Sequence, residues 1–199
     1  MNKYLVIGLG NPGKEYQHTR HNVGFQLLDH FAEKVKASWS GDRFGLRCDV
    51  KIKGRSITFI KPDTYMNLSG KAVQYWMTKL NIEPEQVLII LDDLNIGFGT
   101  LRMRKNGSDG GHNGLKNIQE VIQTKDYPRL RIGIGNNFQK GRQVNYVLGE
   151  WKPEEKKELN ILFDACAEGI LTFALAGVDK AMNQLNGFKM GGEDITALA

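Results

Sequence analysis

A small set of polar residues falls where predicted strands end or predicted helices begin, and their types suit acid–base chemistry. The set consists of Asn11, His21, Asn67, Asp92, Asp93 and Asn113. A carboxylate can orient the imidazole of a histidine, and the histidine can then act as a general base towards water. Asparagine amides can bind a carbonyl group and stabilise its oxyanion. These residue types predict hydrolysis without a covalent enzyme intermediate.

A dinucleotide-binding loop is the first alternative for the segment that carries His21. Gly8, Gly10 and Gly13 have the spacing of a pyrophosphate cradle, but that motif requires a helix immediately after the glycines. Here the polar stretch KEYQHTRH separates Gly13 from Asn22, which stands at the predicted start of the first helix. No acidic residue ends a second strand about 20 residues further on, as ribose binding needs. The context therefore disfavours a nicotinamide cofactor.

Other catalytic schemes lack their sequence signatures. Ser69 in NLSGK and Ser108 in NGSDG are without the glycines of a nucleophile elbow. Cys48 shares an alternating strand face with apolar residues and Cys166 lies in a helical apolar pattern, so both thiols are predicted to fill the core. Neither His-Glu-x-x-His nor paired Cys-x-x-Cys spacing occurs, and no metal site is predicted. Histidine-activated water is the scheme that these patterns favour.

Several of the polar residues also have a purely structural interpretation. Asn22 and Asn113 stand where helix N-caps are expected, and capping is the commoner role of such asparagines. Ser69 is the better predicted cap for its helix, which leaves the amide of Asn67 free. The other histidines are predicted to have no catalytic role: His18 faces water, His30 lies on a helix and His112 shapes a glycine loop. His21 is therefore the predicted base.

Apolar periodicity predicts the elements that position these residues. The predicted strands are 4–8, 45–52, 56–61, 87–91, 100–105 and 129–135, and the predicted helices are 22–36, 69–80, 114–124 and about 153–176. Their alternation predicts an α/β fold of one domain, with a twisted, mixed, largely parallel central sheet flanked by helices. Ligands bind such sheets at the carboxyl ends of the strands, so the polar residues are expected to converge at one edge.

Composition predicts a soluble protein and is compatible with an anionic partner, although many basic proteins bind no nucleic acid. The chain has 199 residues, a formal charge of +5 and a pI near 9.1, with 41% hydrophobic residues. Neither a secretory leader nor an apolar run of 18 residues is predicted, and two cysteines suit a reducing compartment, so we expect a cytoplasmic protein. Basic residues on the predicted strand 100–105, the strand 129–135 and the loop after it could contact nucleic-acid phosphates.

Four motifs resemble those of bacterial-type peptidyl-tRNA hydrolases, in the family's order and spacing. They are GLGNPGKEYQHTRHNVGF, TYMNLSGKAV, GSDGGHNGLKNI and RLRIGIG, and the resemblance runs from about residue 3 to residue 188. It implies hydrolysis of the ester that joins a peptide to the terminal ribose of tRNA, which frees tRNA from prematurely released chains. It also implies a monomer that needs no metal or other cofactor. Residues 1–188 are then one catalytic domain, and 189–199 are expected to form a flexible tail.

The resemblance also implies individual roles. His21 is similar to the family's general base, Asp92 to the group that holds its imidazole, and Asn11 to the residue that separates N-blocked from free aminoacyl-tRNA. The implied substrate contacts are Tyr16, Tyr65, Asn67 and Asn113, and the expected phosphate contacts are Arg104, Lys105, Arg131 and Arg142. The chain departs from the family pattern at Asn95 and Gly97, where aspartate and proline are common. The main alternative is a non-catalytic RNA-binding relative, which could keep the basic face and lose the histidine–aspartate pair.

Overall fold

The structure, a computed structural model, describes residues 2–190. In this range the strands are β1 (Lys3–Gly8), β2 (Ser40–Asp42), β3 (Gly45–Ile52), β4 (Arg55–Lys61), β5 (Val87–Asp93), β6 (Leu101–Arg104) and β7 (Arg129–Gly133). The α-helices are α1 (Val23–Lys34), α2 (Ser69–Leu80), α3 (Asn113–Ile122), α4 (Gln143–Val147), α5 (Pro153–Ala176) and α6 (Val178–Asn186). Single 3₁₀ turns at Lys14–Tyr16, Arg20–Asn22, Met66–Leu68 and Pro84–Gln86 lie in the connections.

One mixed sheet runs through the whole fold, in the order β2-β3-β4-β1-β5-β7-β6. The central strands β4, β1, β5 and β7 are parallel to one another, while β3 pairs antiparallel with β4 and β2 on one side, and β6 pairs antiparallel with β7 on the other. The predicted α/β architecture with a mixed sheet is confirmed. Because the central strands are parallel, their carboxyl ends lie at one edge of the sheet, which is where Asp92 and Asp93 end β5.

Helices cover both faces of the sheet. On one face, α1 and α5 pack against apolar residues from every second position of the strands, among them Val6, Phe59 and Ile90. On the other face α2 and α3 cover Leu5, Ile7 and Ile89. All seven residues of β5 are buried. An unbroken apolar run is what a central strand covered on both sides requires.

The helix α5 is long and apolar enough to cross a membrane by length and composition alone. Half of its most apolar stretch is buried inside the fold. Leu162, Cys166, Ile170 and Phe173 of this helix belong to the core beneath α1. These contacts identify α5 as a core helix of the α/β fold.

Close packing between β1 and α1 explains two glycines of the first motif. A Cβ atom on Gly8 would lie 2.5 Å from the carbonyl oxygen of Gly24, and one on Gly24 would lie 2.7 Å from the backbone nitrogen of Leu9. The two glycines therefore let the helix approach the strand end directly. This approach brings the start of α1, and with it the 3₁₀ turn Arg20–Asn22, next to the end of β1.

The predicted boundaries differ from the structure mainly at short elements. The strand β2 and the helices α4 and α6 were not predicted. Three residues in β2 and five in α4 carry too little periodicity to detect. The helix α6 has nine residues, and its apolar residues Val178, Ala181, Met182 and Leu185 do repeat at helical spacing. The prediction that Ser69 caps α2 is wrong: the helix begins at Ser69, and the hydroxyl donates to the Met66 carbonyl oxygen at 2.7 Å. Cys48 and Cys166 are buried, as predicted. Of the expected tail, 191–199 lie outside the described residues, while Met190 packs against the core.

Candidate active site

A crevice of about 480 Å³ opens at the carboxyl ends of the central strands. The end of β5 forms its floor, the glycine loop before α3 forms one wall, and α4 with the loop before it forms the other. The polar side chains that line it include His21, Asp92, Asp93, His112, Asn113 and Arg131. The predicted edge of the sheet is therefore the place where a substrate can enter, and it carries the predicted histidine.

His21 and Asp92 form a hydrogen-bonded pair. The Nδ1 atom of His21 lies 2.9 and 3.0 Å from the two carboxylate oxygens of Asp92. A carboxylate accepts only, so Nδ1 carries the proton and donates it to Asp92. The other ring nitrogen, Nε2, is then the basic atom of the imidazole. Asp92 is only 3% exposed, so its orientation is held by protein groups rather than by water.

A second imidazole contacts the same carboxylate. His112 Nε2 lies 3.0 Å from Asp92 Oδ1, and its Nδ1 accepts hydrogen bonds from the backbone N–H groups of Gly114 and Leu115 at 3.1 and 3.4 Å. The interpretation of His112 as a residue that only shapes the glycine loop is therefore wrong. It caps α3 and also donates to Asp92, because the capping bonds require a bare Nδ1 and place the proton on Nε2.

These contacts shift the ionisation of the pair. Burial opposes protonation of His21, but the charge of Asp92 and its hydrogen bond outweigh this effect and raise the pKa of His21 above its ordinary value of 6.5. Burial likewise opposes ionisation of Asp92, yet the charge of His21 and the hydrogen bonds from both imidazoles hold the pKa of this carboxyl well below its usual range. Asp92 is therefore a permanent anion that strengthens His21 as a base.

The same three side chains have the composition of a metal site. One ligand atom from each of His21, Asp92 and His112 falls within 4.8 Å of the others. A metal ion at this cluster needs the lone pair of His112 Nε2, and Nδ1 would then carry a proton facing the N–H groups of Gly114 and Leu115. The capped start of α3 thus opposes the tautomer that a metal requires. The arrangement suits a hydrogen-bonded acid–base pair better than a metal centre.

Asn11 is fixed on both its main chain and its side chain. The buried side chain of Asn22 accepts from the Asn11 N–H and donates to the Asn11 carbonyl oxygen, both at 2.9 Å. The side chain of Asn22 therefore holds the loop at Asn11. Among the described residues it makes no capping hydrogen bond to the first turn of α1, although the sequence predicted one. The side-chain Oδ1 of Asn11 accepts from Met66 N–H at 2.8 Å. Its Nδ2 group makes no hydrogen bond within residues 2–190 and can donate to a ligand.

The other predicted substrate contacts lie at different distances from the crevice. Asn113 is the first residue of α3 and lines the crevice, and His112 rather than Asn113 is its N-cap. Met66 packs where a Cβ on Gly114 would fall, which brings the turn Met66–Leu68 against the start of α3. Asn67 and Tyr65 on that segment are exposed, and Tyr16 is partly buried. These three residues lie outside the residues that line the crevice.

The basic residues divide into bound and exposed groups. Arg131 lines the crevice, where its guanidinium donates to Asp93 at 3.3 Å and to the Ser108 carbonyl oxygen at 3.0 Å. Arg104 is exposed, lies opposite Arg129 at the start of β7 and so stands further from the crevice. Two further predicted contacts, Lys105 and Arg142, are exposed and do not line the crevice, and Lys105 forms an ion pair with Asp179 at 2.6 Å.

Hydrogen bonds hold the loop after β5, which contains Asn95 and Gly97, against the end of β7. Asp93 Oδ1 accepts from the Asn95 N–H at 2.8 Å, which closes a tight turn at the strand end. A Cβ atom on Gly97 would meet nothing within 4 Å, so this position has no steric need for glycine. Backbone hydrogen bonds from Ile134 to Asp93 and from Gly135 to Ile96 attach the loop to the end of β7.

Sequence reasoning missed three residues that hold the site together. His112 and Asn22 were interpreted as structural, and Arg20, beside His21, was not considered. Arg20 is 4% exposed and Asn22 is 1% exposed. The sequence did contain a signal, because polar residues at the start of a buried helix must find partners. It did not indicate which partners they find.

Comparison with known proteins agrees with the fold. The profile of the family described as peptidyl-tRNA hydrolase matches residues 5–193. The peptidyl-tRNA hydrolases of Parabacteroides distasonis and Cytophaga hutchinsonii are 48% and 50% identical over 184 residues, which is 92% of this chain and 98% of each relative. The crystal structure of peptidyl-tRNA hydrolase from Acinetobacter baumannii superposes with a TM-score of 0.88 at 36% identity, covering 94% of this chain and 96% of that one. Because the family profile matches nearly the full length, the two sequence relatives share about half of the residues and the crystal structure shares the fold, the chain belongs to the peptidyl-tRNA hydrolase family.

Proposed function

We propose that this protein hydrolyses the ester bond between the peptide and the tRNA in peptidyl-tRNA, and so returns tRNA from prematurely released chains. The observation that carries this proposal is the His21–Asp92 pair, whose basic nitrogen belongs to a crevice lined by amide and backbone donors. An ester needs only an activated water and a stabilised oxyanion to be cleaved. Both requirements are supported by side chains at this edge of the sheet.

The mechanism begins with proton transfer to His21. Nε2 takes a proton from a water molecule while the water oxygen attacks the ester carbonyl carbon. The imidazolium that forms is stabilised by Asp92, which already holds Nδ1–H at 2.9 Å. When the tetrahedral intermediate collapses, the bond to the ribose oxygen breaks, and His21 returns its proton to that oxygen. The products are a free peptide carboxylate and a tRNA with its terminal hydroxyl restored.

Asn113 is the proposed donor to the oxyanion. It lines the crevice at the first turn of α3, where the helix dipole also favours negative charge. His112, the N-cap of this helix, contacts Asp92 through Nε2 and the first turn of α3 through Nδ1, and so fixes their relative position. Asn67 and the tyrosines Tyr16 and Tyr65 are proposed to contact parts of the substrate outside the crevice.

Asn11 is proposed to select N-blocked substrates. Its Oδ1 is occupied by the Met66 N–H, so its Nδ2 group is the part presented to a ligand. This amide can donate to the carbonyl oxygen of a peptide unit, which a free aminoacyl group does not have at that position. A protonated α-amino group offers only donors and would face another donor. Discrimination therefore follows from the fixed orientation of one amide.

Transfer RNA is the proposed partner of the basic surface. The chain carries a formal charge of +5, and Arg104, Lys105 and Arg142 are exposed outside the crevice. Such residues position phosphates without reading bases. Arg131 is proposed to contribute charge while its guanidinium also anchors the glycine loop. We further propose that the protein acts as a monomer in the cytoplasm and needs no cofactor.

A non-catalytic RNA-binding role and nicotinamide chemistry are the rival functions. A binding protein has no requirement for a strong base. Here the His21–Asp92 pair is intact, and the charge of Asp92 raises the pKa of His21. For the nicotinamide alternative, the stretch after Gly13 forms 3₁₀ turns and loop before α1 begins at Val23. The glycine motif therefore does not place a helix N-terminus directly after the turn, as a pyrophosphate needs.

The deciding assay measures release of a blocked amino acid from tRNA. N-acetyl-aminoacyl-tRNA and free aminoacyl-tRNA are compared with and without a chelator, and His21→Ala serves as the inactive control. We expect hydrolysis of the blocked substrate only, with the same rate in the presence of the chelator. Tight tRNA binding without hydrolysis would support the RNA-binding alternative. Loss of activity on chelation would contradict the metal-free mechanism.

A further inference from the structure

Arg20, the residue before His21, has its guanidinium buried between aromatic rings and a carboxylate. Its terminal nitrogen lies 2.8 Å from Glu155 Oε2, and the side chain of Glu155 is only 12% exposed. The guanidinium carbon stands 4.5 Å from the ring centroid of Tyr146 and 5.5 Å from that of Trp151. A buried guanidinium is tolerated only when it is paired in this way. We name Arg20, Tyr146, Trp151 and Glu155 the arginine clamp.

The backbone around Arg20 is held by the same part of the chain. The Arg20 N–H donates to the Gly149 carbonyl oxygen at 3.0 Å, and Thr19 forms an antiparallel bridge with Glu150. Gln26 donates to the Thr19 carbonyl oxygen at 2.8 Å. The loop that delivers His21 is therefore fixed against the segment between α4 and α5, which lies more than 120 residues further along the chain.

The clamp is anchored to the core at its far end. Glu155 also accepts from the Lys152 N–H at 2.7 Å in the first turn of α5. Trp151 donates through Nε1 to Gln26 Oε1 at 2.8 Å, which ties the segment back to α1. The helices α1 and α5 pack together on the sheet, so the clamp fixes the turn Arg20–Asn22 relative to both core helices.

The clamp also reaches the wall of the crevice. Tyr146 belongs to α4, and its hydroxyl donates to the Ile134 carbonyl oxygen at 2.7 Å, just beyond the end of β7. Its neighbours Val144 and Val147 line the crevice opposite the glycine loop. A change at Arg20 can thus alter both the placement of the base and the wall that faces it.

We infer that Arg20 is a positioning residue that sets the distance between His21 and Asp92. The inference rests on the proposed function, in which His21 is the base, and concerns a residue that touches neither water nor substrate. Asp92 is fixed at the end of a buried strand, whereas His21 lies in a 3₁₀ turn outside the sheet. Asn22 holds one end of this turn through its two hydrogen bonds to Asn11, and the arginine clamp holds the other end, so that the 2.9 Å contact is kept.

Arg20→Lys, Arg20→Met and Glu155→Gln test this inference. Lysine keeps the charge but loses the planar fork and the stacking, and methionine removes both. Glutamine retains a neutral acceptor for Lys152. Misplacement of a catalytic group by about 1 Å costs roughly 10²-fold in rate, so we expect kcat to fall by about that factor for methionine and less for the other two. The KM for full-length tRNA stays within about twofold, because the phosphate contacts are untouched.

The control is Lys156→Met, which removes an ion pair to Glu150 in the same region. The side chains of Lys156 and Glu150 are both at least half exposed, so loss of this ion pair is expected to leave kcat unchanged. A short blocked aminoacyl-nucleoside should show the same loss as full-length tRNA in the clamp variants. If Arg20→Met does not fold, as judged by circular dichroism, Glu155→Gln and Tyr146→Leu carry the same test.

A second readout does not depend on catalysis. The His21 imidazole is titrated by NMR in the wild type and in Arg20→Lys and Glu155→Gln, with His21→Ala used to assign its signal among the four histidines. Weakened contact with Asp92 should lower the pKa of His21. Folded variants with wild-type kcat and an unchanged His21 titration would overturn the inference. If the wild type does not hydrolyse blocked aminoacyl-tRNA, the proposed function fails, but the titration still decides whether Arg20 positions His21.

Discussion

Replacing Asp92 by asparagine removes the charge that supports the base and keeps the size of the side chain. In the proposed mechanism, Asp92 interacts with a full positive charge on His21 in the transition state. Two unit charges about 4 Å apart interact with about 4 kcal/mol at an effective dielectric constant of about 20. Each 1.36 kcal/mol corresponds to a factor of about ten in rate. We therefore expect kcat for Asp92→Asn to fall by roughly 10²–10⁴-fold.

The pH dependence gives the prediction a sign. His21 acts as a base only when it is neutral, so kcat/KM of the wild type should rise with pH through the raised pKa of His21. Without the carboxylate, burial alone acts on the imidazole and lowers that pKa. The acidic limb of the profile should then move to lower pH while the plateau falls. The ratio of wild-type to variant rates is largest above this pKa and shrinks in acid.

The assay is the pH–rate profile of N-acetyl-aminoacyl-tRNA hydrolysis, with Asp164→Asn as a matched control. Asp164 accepts from His30 at 2.8 Å on the surface, so the control makes the same chemical change in a remote aspartate–histidine pair. It should leave the profile unchanged. A profile for Asp92→Asn that keeps the wild-type plateau and limb would refute the role of Asp92 as the partner of a catalytic base.

Three further predictions concern the base, substrate selection and phosphate binding. His21→Ala should lower turnover by roughly 10²–10⁴-fold while tRNA affinity, measured by fluorescence anisotropy, is nearly kept; near-wild-type turnover would contradict the mechanism. Asn11→Asp still offers an oxygen to the Met66 N–H, so the loop should hold while the ratio of peptidyl- to aminoacyl-tRNA hydrolysis drops; an unaltered ratio places selectivity elsewhere. Arg104→Gln should reduce the magnitude of the log–log slope of tRNA affinity against salt by about 0.7–0.9, and should leave hydrolysis of a minimal blocked aminoacyl-nucleoside unchanged. Arg131→Gln should slow hydrolysis of both substrates, because Arg131 also anchors the glycine loop. An unchanged salt slope for Arg104→Gln would show that Arg104 is an ordinary solvated residue.

The sequence by itself determined the architecture and the place of the site. The bounds of α2 and α5 in the structure are those that helical periodicity predicts, and the unbroken apolar run of β5 predicted a central strand. These are local properties, since the spacing of apolar residues decides which face of an element is buried. The rule that parallel strands end at one edge then brought Asn11, His21 and Asp92 together before any coordinates were known.

Apart from the His21–Asp92 pair, the tertiary structure alone decided which polar groups are partners. His112 and Asp92 are 20 residues apart and Arg20 and Glu155 are 135 apart, and neither pair has a spacing that local rules recognise. Apolar burial is non-directional, so periodicity can assign a face without assigning a partner. Hydrogen bonds require particular distances and angles, which exist only once the helices and loops have packed. That is why the catalytic residues could be predicted from their positions, while the groups that hold them in place could not.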